Sequence, residues 1–491
     1  MNIKWNSFVG GVTILFFLTL LTIRFGIPEK LISGEERTVT AQKEKIPVGE
    51  LWMSITQGGK KIGYAQRTYT SSEQGFGFSE RIFMRINTMG IVQPLIVRTE
   101  AEMKPDHTLS NFRFSLESNL FKFNARGKVS GKNMIVHTGV SDEEKVSVIK
   151  LSDSIYLGGG ILESVGTAEL KEGEKRTFLV FDPASLGQRP VHVILLAEEP
   201  LSIMGERLKA RKLSVDMMGM KQTAWVDENG SMLREEGMLG IAMERVRKED
   251  ALAGLQGEVS ADLTEIASIP SSRIIEDVNS LKVLKIRLSG IPEGTFFMDG
   301  GRQIYQDGVL TIRREVLTDT SKHLGPPRGD LSDFLKASPF IQSDHPKIRN
   351  MAFKIVTHHS DSSVKAEKIF EWVHKSIKKR PVLSVPNALE TLKNRIGDCN
   401  EHAVLLAALA RAAGLPAEVE AGIVYMRGRF FYHAWNVIYL KDRGGWVTAD
   451  AVLGQLPADV SHIRFVRGEA DRQIDLIGLI GRVKLDILEM E

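Results

Sequence analysis

The fold is decided by one stretch of sequence, residues 397–416, which reads GDCNEHAVLLAALARAAGLP. Alanine and leucine fill its second half, and both residues favour helix. The stretch closes with a glycine and, two residues later, a proline, which is typical of a helix end. At the other end Asp398 is a natural N-cap, and Glu401 three residues later completes a capping-box pattern. The sequence therefore predicts a helix that begins at Cys399.

Cys399 is the only cysteine among the 491 residues of the chain, so no intramolecular disulfide can form. A lone cysteine is often just a small buried apolar residue. In the first turn of a helix, however, unpaired N–H groups and the helix dipole stabilise a thiolate and lower its pKa. The same N–H groups can face a developing oxyanion. We therefore expect an exposed, low-pKa thiol that acts as a nucleophile.

Partners for that thiol lie in a predicted β-hairpin, with His433 in its first strand and Asp450 in its second. If Leu440 pairs with Arg443, His433 lies opposite Asp450. Any register shifted by an even number of residues also keeps both side chains on one face. A carboxylate beside an imidazole fixes its tautomer, and the imidazole then takes the thiol proton. Strands are predicted over residues 418–425, 430–440, 446–452 and 482–488.

Three separated motifs in this order resemble the core of the transglutaminase-like superfamily. They are GDC with its following helix up to LARAAGLPA, HAW at residues 433–435, and GWV leading to Asp450. The resemblance covers about a third of the chain. It implies an α+β, papain-like fold over residues 325–491 and a Cys-His-Asp triad for acyl transfer or amide hydrolysis. Cys399, His433 and Asp450 are the catalytic residues that it implies.

A second histidine, His402, follows Cys399 by one helical turn. We interpret it as a helix-surface residue or a contact behind the site, because His433 has the strand partner. No Cys/His spacing typical of zinc sites and no phosphate-binding glycine loop occurs in the sequence, so we expect neither a metal nor a cofactor. Basic and acidic residues nearly balance, 64 against 61, which argues against a nucleic-acid partner.

The amino terminus predicts a membrane anchor. Residues 7–23 carry no charge and are mostly apolar, with Lys4 before them and Arg24 after them. About 17 to 20 such residues just cross a bilayer core. No small-residue cleavage site follows closely, which favours an uncleaved signal-anchor over residues 1–28 instead of a secretory signal peptide. We expect one pass through the inner membrane, a cytoplasmic amino terminus, and a body that is periplasmic or extracellular.

Between anchor and thiol domain the sequence predicts β structure. Residues 29–49 are polar and charged, as in a linker. Short alternating runs separated by glycine-containing turns predict an all-β barrel-like or half-barrel domain over residues 50–275. A β-rich connecting segment, 276–324, ends at the Gly/Pro cluster 325–329. The β domain is interpreted as a spacer or docking module, with binding of a lipid or peptide as the alternative.

These features favour a membrane-tethered envelope thiol enzyme that acts on amide bonds of a protein or peptide substrate. Hydrolysis, deamidation and transamidation share one acyl-enzyme, so the residues leave the choice between them open. Two alternatives remain: a non-catalytic binding or scaffold protein that uses the same fold, and a ligand carrier that works through its β domain.

Overall fold

A computed structural model describes residues 49–139, 144–158, 161, 170–217, 220–228, 230–256, 260–291, 296–316 and 329–491. The predicted anchor at 1–28, all but the last residue of the linker, and most of the 325–329 turn lie outside the described residues. Within the described ranges, no helix is both long and apolar enough to cross a membrane. These residues divide into two compact units. The first runs up to Leu263 and includes Leu383–Val385, and the second comprises Thr264–Val382 and Pro386–Glu491.

The first unit is built around one sheet of fifteen strands in the order β8-β7-β6-β5-β4-β3-β2-β1-β15-β14-β13-β12-β11-β10-β9. One short helix, α1 (Lys248–Leu252), follows the last strand. The strands are β1 Gly49–Gln57, β2 Lys60–Ser72, β3 Gly75–Thr88, β4 Ile91–Met103, β5 Leu109–Ser118, β6 Lys122–Ser130, β7 Asn133–Thr138, β8 Lys145–Lys150, β9 Tyr156–Leu157, β10 Lys175–Asp182, β11 Gly187–Ile203, β12 Glu206–Met217, β13 Met220–Val226, β14 Met232–Glu236 and β15 Ile241–Arg245.

Alternating side chains explain why these residues form a sheet with one apolar face. In β1, for example, Leu51, Met53 and Ile55 are buried while the residues between them are partly exposed. The two edge strands, β8 and β9, are consecutive in the chain and are joined only by residues 151–155. The six Cα–Cα steps from Lys150 to Tyr156 span at most about 22 Å, so the sheet must curl until its edges approach each other. The predicted large β-rich amino-terminal region is confirmed.

The second unit contains three sheets and six helices among its described residues. Its helices are α2 Leu263–Ala267, which begins at the unit boundary, α3 Pro346–Val356, α4 Ser362–Ser376, α5 Ala388–Asn394, α6 Cys399–Ala412 and α7 Ala470–Gln473. Its strands are β16 Ile269–Pro270, β17 Val283–Ser289, β18 Gln303–Gln306, β19 Val309–Arg313, β20 Lys378–Lys379, β21 Ile396–Gly397, β22 Ala417–Met426, β23 Arg429–Leu440, β24 Gly445–Ala449, β25 Ile463–Arg467 and β26 Lys484–Met490.

The sheets of this unit join distant parts of the sequence. One has the order β16-β23-β22-β25, with β24 also paired to β23. Another has the order β18-β19-β17-β26, and β20 pairs in parallel with β21. Strands β17 to β19 come from the predicted connecting segment and β26 ends the chain, so that segment is built into the second unit.

Helix α6 is the centre of the second unit. It contacts α3, α4 and α5 and packs against strands β22 and β23. Every residue from Cys399 to Ala410 is buried, which explains its all-round composition of alanine and leucine. The helix ends at Ala412, and Gly414 takes a φ of 79°, the left-handed conformation that stops a helix. The sequence-based prediction of this helix and of its end is confirmed.

The β23–β24 hairpin has a different register from the predicted one. Leu440 pairs with Gly445, not with Arg443. A two-residue turn would need positive φ at both Lys441 and Asp442, whereas the observed four-residue loop places its positive φ, 69°, at Gly444. The register is shifted by two residues along the partner strand. An even shift leaves the His433 and Asp450 side chains on the same face of the hairpin. Asp450 consequently lies just beyond the end of β24.

Candidate active site

The start of α6 is organised by the predicted capping box. The Asp398 carboxylate accepts a hydrogen bond from the Asn400 N–H at 3.1 Å, and the Glu401 Oε2 atom accepts one from the Asp398 N–H at 3.0 Å. A Cβ at position 397 would lie 2.3 Å from the Glu401 Cβ, so only glycine leaves room for the returning glutamate. The GDC motif is therefore a structural requirement for placing Cys399 at the first position of the helix.

His433 and Asp450 form a direct hydrogen bond. The His433 Nε2 atom lies 2.6 Å from Asp450 Oδ2, and both side chains are about 1% exposed. The other oxygen, Oδ1, accepts the backbone N–H groups of Val452 and Leu453 at 2.7 and 3.0 Å. These bonds hold the carboxylate in one orientation. The imidazole must then carry its proton on Nε2, and its Nδ1 atom has no hydrogen-bond partner among the described residues.

Cys399 lies beside the strand that carries His433. The backbone N–H of Ala434, the next residue along β23, forms a hydrogen bond with the Cys399 thiol. Asn436, on the same strand, donates from Nδ2 to the Ala403 carbonyl of α6 at 2.9 Å. The structure thus joins His433 and Asp450 directly and places the thiol against the neighbouring backbone. The thiol is only 3% exposed, so the prediction of an exposed cysteine is wrong.

Burial is also the main reason why the pKa of the Cys399 thiol is raised well above its ordinary value. The carboxylates of Asp398, Glu401 and Asp450 raise it further, and the Ala434 N–H lowers it only in part. The predicted depression of the pKa is therefore wrong for this closed site, because burial and three anionic neighbours outweigh the helix start. The protonated thiol is therefore the favoured form of Cys399.

His402 is not on the helix surface. Its side chain is 1% exposed, and its Nδ1 atom lies 2.6 Å from the Asp398 carbonyl oxygen. Burial lowers its pKa to about 4, despite that hydrogen bond. His402 is therefore a neutral imidazole at physiological pH. The interpretation of His402 as a helix-surface residue is wrong. The structure instead buries it one helical turn after Cys399.

A residue that the sequence analysis missed, His462, completes the buried cluster. Its Nε2 atom lies 2.9 Å from Asp450 Oδ2, and its Nδ1 atom lies 3.1 Å from Asp459 Oδ1. Burial disfavours its charge, but Asp459 and Asp450 outweigh burial and raise its pKa to about 9. Burial likewise opposes ionisation of Asp450, yet His433 and His462 hold the pKa of that carboxyl well below its usual range. No motif marks His462; Asp459 three residues earlier is the only signal.

His433, Asp450 and His462 present one ligand atom each within 4.8 Å of one another, which is a possible metal-binding arrangement. Two atoms bound to the same tetrahedral zinc lie about 3.3 Å apart, given metal–ligand distances near 2.0 Å. The two nitrogen–oxygen separations here, 2.6 and 2.9 Å, are shorter and have the lengths of charge-assisted hydrogen bonds. The geometry therefore fits a proton-linked cluster better than a metal site.

Comparison with known proteins agrees with the geometry. Residues 349–451 match the model of the transglutaminase-like superfamily. The chain contains a transglutaminase-like domain. The matched part includes Cys399, His433 and Asp450, whereas Asp459 and His462 lie beyond its end.

Two solved structures are similar to parts of the chain. The periplasmic domain of TgpA from Pseudomonas aeruginosa is 16% identical, with a TM-score of 0.24, and the alignment covers 38% of this chain and 81% of that one. A β-barrel-like protein with a domain of unknown function, DUF1849, from Brucella abortus is 13% identical, with a TM-score of 0.33, covering 40% of this chain and 95% of that one. A search of curated proteins found no matching relative.

Proposed function

We propose that this protein is a thiol enzyme that acts on amide bonds of proteins or peptides through a thioester at Cys399. One observation carries the proposal. The hydrogen bond from His433 Nε2 to Asp450, 2.6 Å long, leaves the lone pair on Nδ1 without a partner among the described residues, on the strand that touches the thiol. A neutral imidazole oriented in this way is a general base for a neighbouring thiol.

The reaction follows from these roles. The His433 Nδ1 atom takes the proton from the Cys399 thiol as sulfur attacks the amide carbon, and Asp450 stabilises the imidazolium that forms. The backbone N–H of Cys399, at the first helical position, is the donor that we expect at the oxyanion. The imidazolium then protonates the departing amine, and the C–N bond breaks to leave a thioester. Water or a second amine attacks the thioester, and His433 again accepts and returns one proton.

The proposal is tested by trapping the thioester. The full-length, detergent-solubilised protein is incubated with a library of envelope peptides and quenched in acid, and the Cys399 peptide is analysed by mass spectrometry. Because the chain has one cysteine, an acyl mass on that peptide identifies the nucleophile without ambiguity. We expect a thioester in the wild type and a more stable ester in Cys399→Ser. Absence of any adduct, with the peptides left uncleaved and unmodified, would count against the enzyme.

The same incubation separates the three possible reactions. An added primary amine that becomes linked to substrate indicates transamidation, whereas release of ammonia from a glutamine side chain indicates deamidation. A shortened peptide indicates hydrolysis of the backbone. All three outcomes pass through the Cys399 thioester, and they differ only in the leaving amine and in the acceptor.

The β unit is a docking or spacer module in this proposal. The described residues form an open hollow of about 250 Å³ on its sheet. That hollow is smaller than typical small-molecule sites and is lined mainly by polar and charged side chains, which is a poor fit for a lipid. The lining includes Thr68, Thr70, Ser79, Glu100, Glu102, Asn111 and Arg113. These side chains lie on the solvent-exposed face of strands β2 to β5, opposite the buried apolar face.

We further propose that residues 7–23 tether the chain to the inner membrane with its body outside the cytoplasm. The support is the uncharged apolar run in the sequence. Protease added to intact spheroplasts should then digest the body, while the chain stays in the membrane fraction after a high-salt wash. A cytoplasmic marker protein must remain intact in the same sample. Full protection of the body would reverse the proposed topology.

A further inference from the structure

Asp450 is shared between two histidines, of which the triad uses only one. His433 and His462 both direct Nε2 at the same oxygen, Oδ2, at 2.6 and 2.9 Å. The far side of His462 faces a second carboxylate, with Nδ1 at 3.1 Å from Asp459 Oδ1. His462 is fully buried, so water cannot replace either contact. A chain of hydrogen bonds therefore runs from Asp450 through the His462 imidazole to Asp459, a second buried carboxylate.

Counting protons gives the charge of that imidazole. Asp450 and Asp459 are acceptors when ionised, and each ring nitrogen of His462 faces one of them. A neutral imidazole has a single N–H and would leave one nitrogen lone pair against a carboxylate. Only the imidazolium donates to both. The pKa values agree, because that of His462 is raised to about 9 and those of both carboxyls are lowered.

Asp459 is itself held in place for this contact. Its Oδ1 atom accepts the N–H and the hydroxyl of Ser461 at 2.8 and 2.7 Å, and its Oδ2 atom accepts from Gln455 Nε2 at 2.8 Å. The Asp450 backbone N–H donates to the Gln455 carbonyl at 2.9 Å. These hydrogen bonds fix the segment from Asp450 to Asp459 at both ends. His462 therefore has little freedom to turn away from either carboxylate.

We propose that His462 is a positioning residue, an imidazolium held between Asp450 and Asp459 that acts on the Cys399–His433 pair through Asp450. It rests on the proposed thiol function. His462 restrains the oxygen to which His433 must donate. It also supplies a buried positive charge beside an anion that would otherwise act on the thiol at full strength. The sequence match to the superfamily ends at residue 451, before His462.

The charge has a definite effect on the thiol. Carboxylates already raise the pKa of Cys399, and Asp450 is one of them. A cation bound to Asp450 offsets part of that anionic field, so its removal should make the thiolate harder to form. The thiolate fraction at a fixed pH below about 9 should therefore fall. A purely structural role for His462 predicts no such change.

Other charged groups surround this cluster, and none of the variants alters them. The Arg302 side chain donates to the His462 carbonyl at 3.2 Å. The Arg302 guanidinium also lies 4.0 Å from the Glu315 carboxylate. The Asp450 carboxylate also acts on the charges of Lys379 and His402, across from the hairpin. Further buried charges of the unit are Asp398 and Glu401 at the helix start, and Glu420 with Arg464 on β22 and β25.

The test is the rate at which iodoacetamide alkylates Cys399 in the full-length protein at about pH 7.5, where His462 is charged in the wild type. The rate is proportional to the thiolate fraction, and the adduct on the Cys399 peptide is followed by mass spectrometry, with Cys399→Ser as the blank. His462→Gln retains an N–H for Asp450 but carries no charge. We expect its alkylation to be about tenfold slower than that of the wild type, which is a tenfold change in the ionisation constant. His137→Gln, which removes a histidine beside Glu144 in the other unit, is the control and should not change the rate.

A second variant covers the case in which His462→Gln fails to fold. Asp459→Asn leaves His462 in place but removes the anion that contributes most to its charge. Alkylation of Cys399 should be slower here too, because His462 loses its proton at a lower pH. An unchanged rate in either variant that folds would overturn the inference. Because alkylation needs no substrate, it is independent of the thioester test: a missing thioester would refute the proposed function, while the alkylation rate still reports on His462.

The pH dependence of stability is an independent test of the charge on His462. A histidine whose pKa is raised to about 9 contributes stability that is complete below about pH 6.5 and is lost as the pH rises through about 9. The melting temperature of the wild type should therefore fall more steeply between pH 7 and 9.5 than that of His462→Gln. Parallel curves for the two proteins would contradict a charged His462.

Discussion

Replacing Cys399 with alanine should abolish turnover of amide substrates and leave the fold intact. The thioester cannot form without sulfur, and no other cysteine exists in the chain to replace it. Loss of a triad nucleophile reduces the rate by about 10⁴-fold or more. The change removes one small buried side chain, so the free energy of unfolding should fall by less than about 2 kcal/mol. Steady-state kinetics and calorimetry on the same sample measure both effects.

A buried deletion elsewhere in the same unit separates the two effects. Thr391, on α5, is fully buried and donates from Oγ1 to the Asn387 carbonyl at 2.8 Å. Thr391→Ala should lower stability by a similar amount and keep the activity. If Cys399→Ala retained the turnover of the wild type, the thiol mechanism would be wrong and another group would have to be the nucleophile.

Local signals were sufficient to predict the helix that begins at Cys399. The capping box joins Asp398 and Glu401, three residues apart, and the helix stop at Gly414 depends on the φ of a single residue. Such short-range interactions can be predicted from one sequence, because they depend only on residues that are close together in the chain. The same holds for the face shared by His433 and Asp450, which depends only on the period of two in a strand.

Register and environment depend on contacts that the sequence does not display. The hairpin loop is four residues long because Gly444 can adopt positive φ, and a shift of two residues is invisible to an alternation pattern. Burial of Cys399 comes from the packing of several elements around α6. Because that burial reverses the direction of the thiol pKa, a helix-start argument alone predicted the wrong sign.

His462 was missed for a related reason. It approaches Asp450 from twelve residues further along the chain, just before a strand, β25, that the alternation pattern did not predict. Its importance lies in having two carboxylates on opposite sides of one ring. A histidine three residues after an aspartate is too common a pattern to suggest this. Only the folded arrangement shows that Asp450 has a second histidine neighbour.

Replacing Asp450 with asparagine should reduce turnover by roughly 10²- to 10⁴-fold without unfolding the domain. Oδ1 accepts two backbone N–H groups, so the amide oxygen of asparagine will take that position. Its NH₂ group then faces the Nε2 atoms of His433 and His462, where donors would meet donors. His433 must move its proton to Nδ1, and in that tautomer it can no longer accept the proton of Cys399.

The hairpin itself offers the matched control for this change. Asp442 lies in the β23–β24 loop, is about one-third exposed, and accepts a hydrogen bond from the Ser363 N–H at 3.1 Å. Asp442→Asn makes the same chemical change a few residues away and should leave kcat within about twofold, since surface substitutions have small effects. The decisive comparison is the kcat of the two variants at saturating substrate. Equal activity in Asp450→Asn and the wild type would show that His433 needs no carboxylate partner, and Asp450 would then be a structural residue of the hairpin end.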